Sequence, residues 1–506
     1  MKPQPARRIP VTMATQHPDH ASAPFWQPEP FIPTIHETKE CVLCFKDLGI
    51  DEYMWDWEGK LVDESVFERI IADHYEFFQK YPLGKHKFLT FRLPNPKVEH
   101  EFRMSRALMG ILTASGLAKQ TELHSPPLFE VILPMTETAE ELISIQEAFR
   151  EIACLRHPLN RMNTSCDMFL EIIPLFETVN TIIHSNKLLE KYLKIYKQKF
   201  KTKPVYLRPF VARSDPALNS GLVPTVLSIK IAFSRYAKLA KKHRLLMYPI
   251  IGAGTLPFRG GLNPLTPAHF ANEYKGVSTT TIQSAFRYDF PKAKVKSATK
   301  YFQRHFPKQQ LPHIPPAEEK QLLEIIQVFE TAYKHTIEQI APLINQVANH
   351  FPKRRERVQH IGLFGYSRGS GKVKLPRAIT FTGALYALGI PPEIIGTGRA
   401  LKKIIENNQI SLLEKYYLNL KTDLKFAGSF LYKPAILSLA KKSPAFKAIW
   451  EDIQEIETYL LTEFSPETPE QKTYTKLCEK LHKNLNNKKS LTKIIEKQAV
   501  LRKSLG

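Results

Sequence analysis

The chain has 506 residues, of which 43% are hydrophobic and 24% are charged, a composition that excludes a disordered chain and a small disulfide-stapled scaffold. Five cysteines are too few for a disulfide framework, residues 1–20 lack an apolar core, and no apolar segment reaches 18 residues, so we expect a cytoplasmic protein without a signal peptide or membrane span. The net charge of +23 favours an anionic partner, which could be nucleic acid, an acidic membrane or a small phosphorylated or carboxylated substrate.

Short β-rich runs, each followed by an amphipathic stretch, recur along the first half of the chain. They end near Trp57, Arg92, Met135, Glu177, Asp215 and Gly252, with a weaker run ending near Thr281. From Trp55 to Gly252 the steps between run ends are 37 to 43 residues, the length of a strand, a helix and two loops. This alternation predicts parallel strands joined by right-handed crossovers. We therefore predict an α/β fold of the (β/α)₈ barrel type, with a doubly wound open sheet as the alternative.

The eighth strand is predicted late, over HIGLFGY at 360–366, after a helical insertion near 282–358. Apolar residues from Leu322 to Ile344 recur at helical spacing within that insertion and predict a long helix, bent at Pro342. From about residue 384 the pattern is helical only. We therefore predict a catalytic barrel core over 1–383 and a helical extension over 384–506 that packs on it.

Two basic segments lie outside the predicted strands. Residues 472–503 alternate Lys with Leu and Ile, which predicts one or two amphipathic helices with a solvated basic face. No aromatic side chains lie between these lysines to stack on bases, so we expect no nucleic-acid binding. The run PKRRER at 352–357 is interpreted in the same way, as a solvated basic face.

Polar side chains stand at the predicted strand ends, which in a barrel converge on the face where active sites are built. Arg92, Glu177 and Asp215 are three of them. Two carboxylates on neighbouring strands suit Mg²⁺ or Mn²⁺, which prefer oxygen ligands and retain water or substrate oxygens. The alternative is that Glu177 and Asp215 cap the following helices, and their spacing alone does not decide between the two.

Two glycine-containing segments could bind anions. In IGAGTLPFRGGLNP at 251–264, Gly260 and Gly261 allow close backbone approach, and Arg259 offers a planar fork for phosphate or carboxylate. It matches neither nucleotide-binding glycine motif, and a tight loop with a surface Arg is the alternative. GYSRGSGKVKLPRAI at 365–379 is a second anion cradle or an exposed basic loop, with its charges on Arg368, Lys372, Lys374 and Arg377.

Two further motifs carry little information by themselves. TQHPD at 15–19 lies outside any predicted regular element, and composition gives His17 no catalytic role. Cys41 and Cys44 form a single CxxC without a matching pair, which does not indicate a zinc site.

Five motifs in order resemble the archaeal-type phosphoenolpyruvate carboxylases, short relatives of the larger bacterial and plant enzymes. They are TQHPD at 15–19, MWDWEGK at 54–60, PLFET at 174–178, SDPALNSG at 214–221 and GTLPFRGG at 254–261, and the resemblance runs from His17 to about Gly398. It implies a catalytic role for His17, Arg259 and Arg377, substrate binding by Arg92, Arg368, Gly260 and Gly261, and a Mg²⁺ or Mn²⁺ site at Glu177 and Asp215.

The resemblance also implies the reaction: phosphoenolpyruvate and bicarbonate give oxaloacetate and phosphate through carboxyphosphate and the pyruvate enolate. A homo-oligomer, a tetramer in the larger relatives, is expected on the same ground. The chain departs from the pattern of the larger enzymes at Leu218, where they have Lys, and lacks a clear equivalent of the arginine that follows LRAI, which Arg368 could replace. His20 stands where relatives lead us to expect Asn.

Two other functions explain part of the pattern. Another Mg²⁺-dependent barrel enzyme that handles a pyruvate enolate, of the aldolase or phosphonomutase type, would share the carboxylates and Arg259 but would not need TQHPD. A non-catalytic anion-binding or nucleic-acid-binding protein would explain the charge but not Glu177 and Asp215.

Overall fold

The computed structural model describes residues 7–60, 62–97, 99, 102–121, 130–155, 170–356, 373–485 and 491–506. Its centre is a closed barrel of eight parallel strands, which confirms the (β/α)₈ prediction and excludes the open sheet. The strands follow one another round the barrel in chain order: β1 Thr12–Thr15, β2 Glu52–Asp56, β3 Phe88–Arg92, β4 Glu130–Leu133, β5 Glu171–Phe176, β6 Phe210–Ala212, β7 Ile250–Gly252 and β8 Thr279–Ile282.

Helices surround the barrel and continue after it. Those up to β8 are α1 Glu37–Lys46, α2 Val66–Lys80, α3 Arg103–Gln120, α4 Ala139–Ala153, α5 Val179–Phe200, α6 Ser214–Ser220, α7 Leu222–His243 and α8 Pro267–Glu273. Those after β8 are α9 Ser284–Tyr288, α10 Lys292–His305, α11 Pro316–Ala348, α12 Ala378–Ala387, α13 Thr397–Glu406, α14 Ile410–Tyr416, α15 Leu420–Gly428, α16 Lys433–Ala440, α17 Pro444–Leu460, α18 Pro469–Asn484 and α19 Thr492–Arg502. A short parallel pair, Tyr206–Leu207 with Leu246–Met247, lies outside the barrel.

The strands are buried on both faces, which explains why most of them are apolar runs, whereas β1 and β8 are rich in Thr. In β2, Met54 faces the barrel interior, whereas Tyr53 and Trp55 pack outward in the core beneath the helices. The interior cluster consists of Met13, Met54, Ile132, Ile173, Leu175, Phe210, Ala212 and Ile250. Seven predicted strand ends fall within three residues of the observed ones because burial on both faces leaves this strong signal.

The remaining strand was predicted in the wrong place. The segment 360–366 lies outside the described residues, but the barrel is already closed by β1, which pairs with β2 and β8. The sequence of β1, TMAT, is short and half polar, so it gives no apolar run. Its first residue is fixed by Asp51, whose Oδ2 accepts from Thr12 N at 3.2 Å and from Thr12 Oγ1 at 3.0 Å.

The predicted insertion therefore follows the last barrel strand and does not interrupt the barrel. Within it, α11 confirms the long helix: it contains Pro342 and buries Leu322, Ile325 and Ile344 in a second core. This core lies between α11 and the C-terminal helices, which confirms a helical region there. Helix α12 runs across the expected boundary at 383, and the division into core and extension stays a prediction.

The basic tail is helical, as predicted, in α18 and α19. In α18, Tyr474, Cys478 and Leu481 are buried and the lysines lie on the other side. None of the described helices is both long and apolar enough to cross a membrane.

Candidate active site

A cavity of about 530 Å³ opens at the carboxyl ends of the barrel strands, where βα loops converge. Of the residues predicted for the site, six line this cavity: His17, Arg92, Glu177, Asp215, Arg259 and Arg377. Gly260 and Gly261 lie in the same turn as Arg259 but do not line the cavity, and Arg368 and Lys372 lie outside the described residues. The barrel thus brings together side chains that are up to 360 positions apart in the chain.

His17 reaches the cavity because it lies two residues after the end of a barrel strand. The expectation that TQHPD lies outside any regular element is wrong for Thr15 alone, since residues 16–19 have no regular structure. Thr15 is the last residue of β1, and its Oγ1 lies 2.8 Å from His17 Nδ1. A tautomer with its proton on Nδ1 donates to Thr15 and carries its lone pair on Nε2. The Ser284 hydroxyl, directly after β8, donates to the carbonyl oxygen of His17.

The rest of the motif is anchored on both sides. Gln16 Oε1 accepts from Asp56 N and from Lys60 Nζ, each at 3.0 Å. His20 is fully buried, with Nδ1 3.0 Å from Ser284 Oγ and Nε2 2.7 Å from Pro30 O. Burial lowers the pKa of His20 to about 3, so this ring is neutral at physiological pH and is an anchor of the segment.

Glu177 and Asp215 come from neighbouring strands, and neither is the N-cap of a helix. Thr178 caps α5, its hydroxyl accepting from Thr181 N at 3.0 Å, and Glu177 precedes that cap. Asp215 is the second residue of α6, which begins at Ser214. Glu177 Oε2 accepts from Met135 N at 2.8 Å, at the end of β4, which orients this carboxylate.

The two carboxylates suit a hard divalent ion. Both line the cavity, where Glu177 is nearly buried and Asp215 is half-buried, so the charge on the Glu177 oxygens is poorly hydrated. In the part of the chain that the structure describes, no group of three or more His, Cys, Asp or Glu could hold a metal. Two carboxylate ligands leave the other positions of an octahedral shell to water and substrate oxygens, as Mg²⁺ and Mn²⁺ allow.

Arg259 is 1% exposed, so the alternative of a surface arginine is wrong. Its Nε donates to Ser214 Oγ at 3.1 Å and its Nη2 to Gln283 Oε1 at 2.5 Å. Its Nη1 donates to Asp19 Oδ2 at 3.0 Å and also to Gly506 O. The guanidinium is therefore held rigidly at the cavity wall.

The turn that carries Arg259 requires glycine. Gly260 has φ of 130°, and a Cβ there would lie 2.6 Å from the Cβ of Ala253. The turn is also held from outside the barrel by Glu393, whose Oε1 accepts from Phe258 N at 2.9 Å. Burial raises the pKa of Glu393 to about 7.

Arg92 lies in an acidic corner of the cavity. Its Nε and Nη2 donate to the Asp56 carboxylate at 2.9 and 2.7 Å, and its Nη1 lies 2.8 Å from Glu58 Oε2. Two carboxylates thus surround one guanidinium, and they keep the pKa of Arg92 above its usual value although burial opposes this. Direct substrate contact by Arg92 stays a prediction.

Comparison with known proteins identifies the family. A sequence model of the family described as phosphoenolpyruvate carboxylase matches residues 9–506. The chain belongs to the phosphoenolpyruvate carboxylase family. It is 38% identical over 504 residues to the phosphoenolpyruvate carboxylase of Oenococcus oeni, with 99% of each chain covered. It is 37% identical over 519 residues to that of Metallosphaera sedula, covering 99% of this chain and 100% of the relative.

This result confirms the resemblance to phosphoenolpyruvate carboxylases and extends it beyond Gly398, where the resemblance seen in the sequence ended, through the basic C-terminal helices. Leu218, where the larger enzymes of the family have Lys, is fully buried in α6 and its carbonyl oxygen accepts from Tyr333 OH at 2.9 Å. That position therefore supplies no charge to the cavity.

The segment PKRRER supplies cavity residues that sequence reasoning missed. Lys353, Arg354 and Arg355 line the cavity, and the last two are 4% and 3% exposed, so the expectation of a solvated basic face is wrong for them. Arg355 donates to Glu40 at 2.6 and 2.8 Å, and the two side chains are buried together. A basic run after a helix has no periodicity that distinguishes a surface loop from a buried one, so no sequence signal was available.

The N-terminal end of α12 also faces the cavity. Arg377 is its N-cap residue, and Ala378, Ile379 and Thr380, the first turn, line the cavity with it. The first N–H groups of a helix have no intrahelical acceptors, and the helix dipole favours negative charge there. Arg377 and this first turn together suit a bound anion.

Proposed function

We propose that the chain carboxylates phosphoenolpyruvate with bicarbonate and releases oxaloacetate and inorganic phosphate. The observation that carries the proposal is the convergence of His17, two carboxylates and the arginines on one cavity of about 530 Å³. This volume accommodates a three-carbon phosphate ester together with bicarbonate. The family membership supports the same reaction.

Glu177 and Asp215 would hold a divalent ion, Mg²⁺ or Mn²⁺. When bound, the ion supplies positive charge that stabilises the enolate of pyruvate. Met135 N–H keeps Glu177 in one orientation, so its second oxygen has a defined direction. The Ser214 hydroxyl, next to Asp215, receives a hydrogen bond from Arg259 and links the carboxylate side of the site to the arginine side.

The arginines bind the phosphoryl group. Arg377 and the first turn of α12 suit its negative oxygens, Arg259 lines the same cavity, and Arg368 is a further candidate. Bicarbonate oxygen attacks phosphorus, and the bond from phosphorus to the enol oxygen breaks, which leaves carboxyphosphate and the enolate. Arginine charge offsets the charge that develops on the phosphoryl oxygens during this step.

His17 then acts as the base. It takes the proton of carboxyphosphate, which separates into carbon dioxide and phosphate, and the enolate carbon attacks the carbon dioxide. Thr15 supports this role, because its hydroxyl 2.8 Å from Nδ1 can fix the tautomer in which Nε2 accepts the proton.

The test is the formation of oxaloacetate from phosphoenolpyruvate, followed through malate dehydrogenase, with bicarbonate and each divalent ion varied separately. Product that depends on bicarbonate and on Mg²⁺ or Mn²⁺ is the expected result. An aldolase-type or phosphonomutase-type enzyme would not require bicarbonate, and an anion-binding protein would make no product. The absence of oxaloacetate with every divalent ion would refute the proposal.

We also propose that the protein is cytoplasmic and forms a homotetramer. Its substrates are phosphoenolpyruvate and bicarbonate, and it binds neither nucleic acid nor a membrane. Tetramer formation rests on the resemblance to the larger relatives and is measured by light scattering. Four cysteines among the described residues are free thiols, which suits a reducing compartment.

A further inference from the structure

Asp19 is the acidic residue of TQHPD and is fully buried. Its Oδ1 accepts from Ala285 N at 2.7 Å and lies 3.0 Å from Ser284 Oγ, both at the start of α9. Its Oδ2 accepts from Arg259 Nη1 at 3.0 Å. One carboxylate thus joins the His17 segment, the loop after β8 and the arginine of the loop after β7.

The hydrogen bonds of Arg259 explain why this contact matters. Four of its five N–H donors are engaged: one on Nε, two on Nη1 and one on Nη2. With respect to the described residues, one Nη2 donor is left for substrate, so the orientation of the guanidinium determines where that donor points. Asp19 supplies a carboxylate to these contacts, and charge-assisted hydrogen bonds are the stronger ones.

The backbone of Asp19 also fixes its own position. Asp19 N donates to Ser284 Oγ at 3.1 Å, and Asp19 O accepts from Leu505 N at 2.7 Å. The Ser284 hydroxyl donates to the carbonyl oxygen of His17, two residues away. Asp19 is therefore held at the site independently of Arg259, so it can hold the arginine in turn.

We propose that Asp19 is a positioning residue: its carboxylate fixes the plane of the Arg259 guanidinium relative to His17. The base and the anion-binding arginine thereby keep the same relative position during the reaction. This inference rests on the proposed function. Asp19 itself does not contact substrate and acts through Arg259.

Asp19→Asn tests the proposal, because the amide keeps an acceptor oxygen for Ala285 N but loses the charge that faces Arg259. We expect kcat/KM for phosphoenolpyruvate to fall about 10- to 100-fold in a variant that still folds by circular dichroism, although the loss of a buried charged partner lowers its melting temperature. If Asp19→Asn does not fold, Asp19→Glu replaces it, since the longer side chain keeps the charge but displaces Arg259, and the same loss is expected.

Asp289→Asn is the matched control. Asp289 is a carboxylate that anchors the same segment, accepting from Ala21 N at 2.8 Å and from Ser22 N at 2.7 Å, but it does not contact Arg259. We expect near-wild-type kcat/KM for this variant. A loss equal to that of Asp19→Asn would show that the effect comes from general loosening of the segment, and would overturn the proposal.

A double-mutant cycle separates positioning from an independent structural role. In an Arg259→Gln background, Asp19→Asn should change kcat/KM less than about twofold, because its target is gone. Wild-type kcat/KM in Asp19→Asn, or an equal loss in both backgrounds, would overturn the inference while the wild-type protein still makes oxaloacetate. A wild-type protein that makes none would refute the proposed function itself and this inference with it.

Discussion

His17 is the residue that decides which product the proposed reaction gives. If it acts only after phosphoryl transfer, His17→Asn leaves the arginines and carboxylates in place, so bicarbonate can still attack. Carboxyphosphate then lacks a base, and we expect bicarbonate-dependent release of pyruvate and phosphate in place of oxaloacetate. The base contributes roughly 10²–10⁴-fold, which makes the change of product measurable.

The measurement couples pyruvate to lactate dehydrogenase and oxaloacetate to malate dehydrogenase, with and without bicarbonate. Oxaloacetate at the wild-type rate would remove His17 from the mechanism. Formation of neither product would place His17 in substrate binding or in the attack of bicarbonate.

The single substitutions Glu177→Gln and Asp215→Asn test the proposed metal site. Each variant removes one negative charge from the pair, and the amide oxygen introduced by Glu177→Gln can still accept from Met135 N, so we expect folded proteins that have lost metal-dependent activity. Activity is measured against the concentration of Mg²⁺, and folding by circular dichroism.

Glu141→Gln is the control for both carboxylates. Glu141 follows β4 and completes the capping box of α4, a role that Gln also fills, so this variant loses a charge without loss of metal dependence. If Glu177→Gln or Asp215→Asn keeps near-wild-type turnover at limiting Mg²⁺, that residue is not a ligand.

Helices α13 and α17 in the C-terminal helical region pack closely against each other. Gly398 lies in α13, and a Cβ there would overlap the carbonyl oxygen of Asp452 in α17. Backbone cannot move aside as a flexible side chain can, so the two helices would have to separate. We expect Gly398→Ala to lower the free energy of unfolding by about 2 kcal/mol or more.

Gly110→Ala is the matched substitution in α3. A Cβ at Gly110 meets no atom nearer than 3.7 Å, an ordinary contact, and Ala is favoured over Gly inside a helix by about 1 kcal/mol. We expect this variant to be as stable as the wild type or more so. Thermal or urea unfolding compares the two, and equal stability of the two variants would contradict the packing argument.

At the scale of the whole molecule, the charge of +23 raises the question of nucleic-acid binding. The lysines of α18 and α19 lie on the exposed faces of helices whose other faces are buried. We expect any binding of DNA or RNA to be electrostatic, to fall steeply with salt and to show no sequence preference. A salt-resistant, sequence-selective complex in a mobility-shift assay would contradict this.

Several features of this molecule could be read from the amino-acid sequence. Six barrel strands were predicted because strands buried on both faces are apolar runs, and a weaker, Thr-rich run predicted β8. Glu177 and Asp215 were placed together because parallel strands end at one face. The family resemblance depended on short motifs such as PLFET, which can be recognised from a few consecutive residues. These features share one property: neighbouring residues are enough to define them.

Tertiary structure alone decided the rest. β1 has too short and polar a sequence to be recognised, and it becomes a strand because β2 and β8 supply hydrogen-bonding partners on both sides. Arg354 and Arg355 are buried because Glu496 and Glu40, far away in the chain, pair with them. Asp19 contacts Arg259, 240 residues away in the chain, because barrel closure brings the carboxyl ends of the first and seventh strands to the same face. A contact between distant residues has no local pattern, since only the closed barrel brings its two partners together.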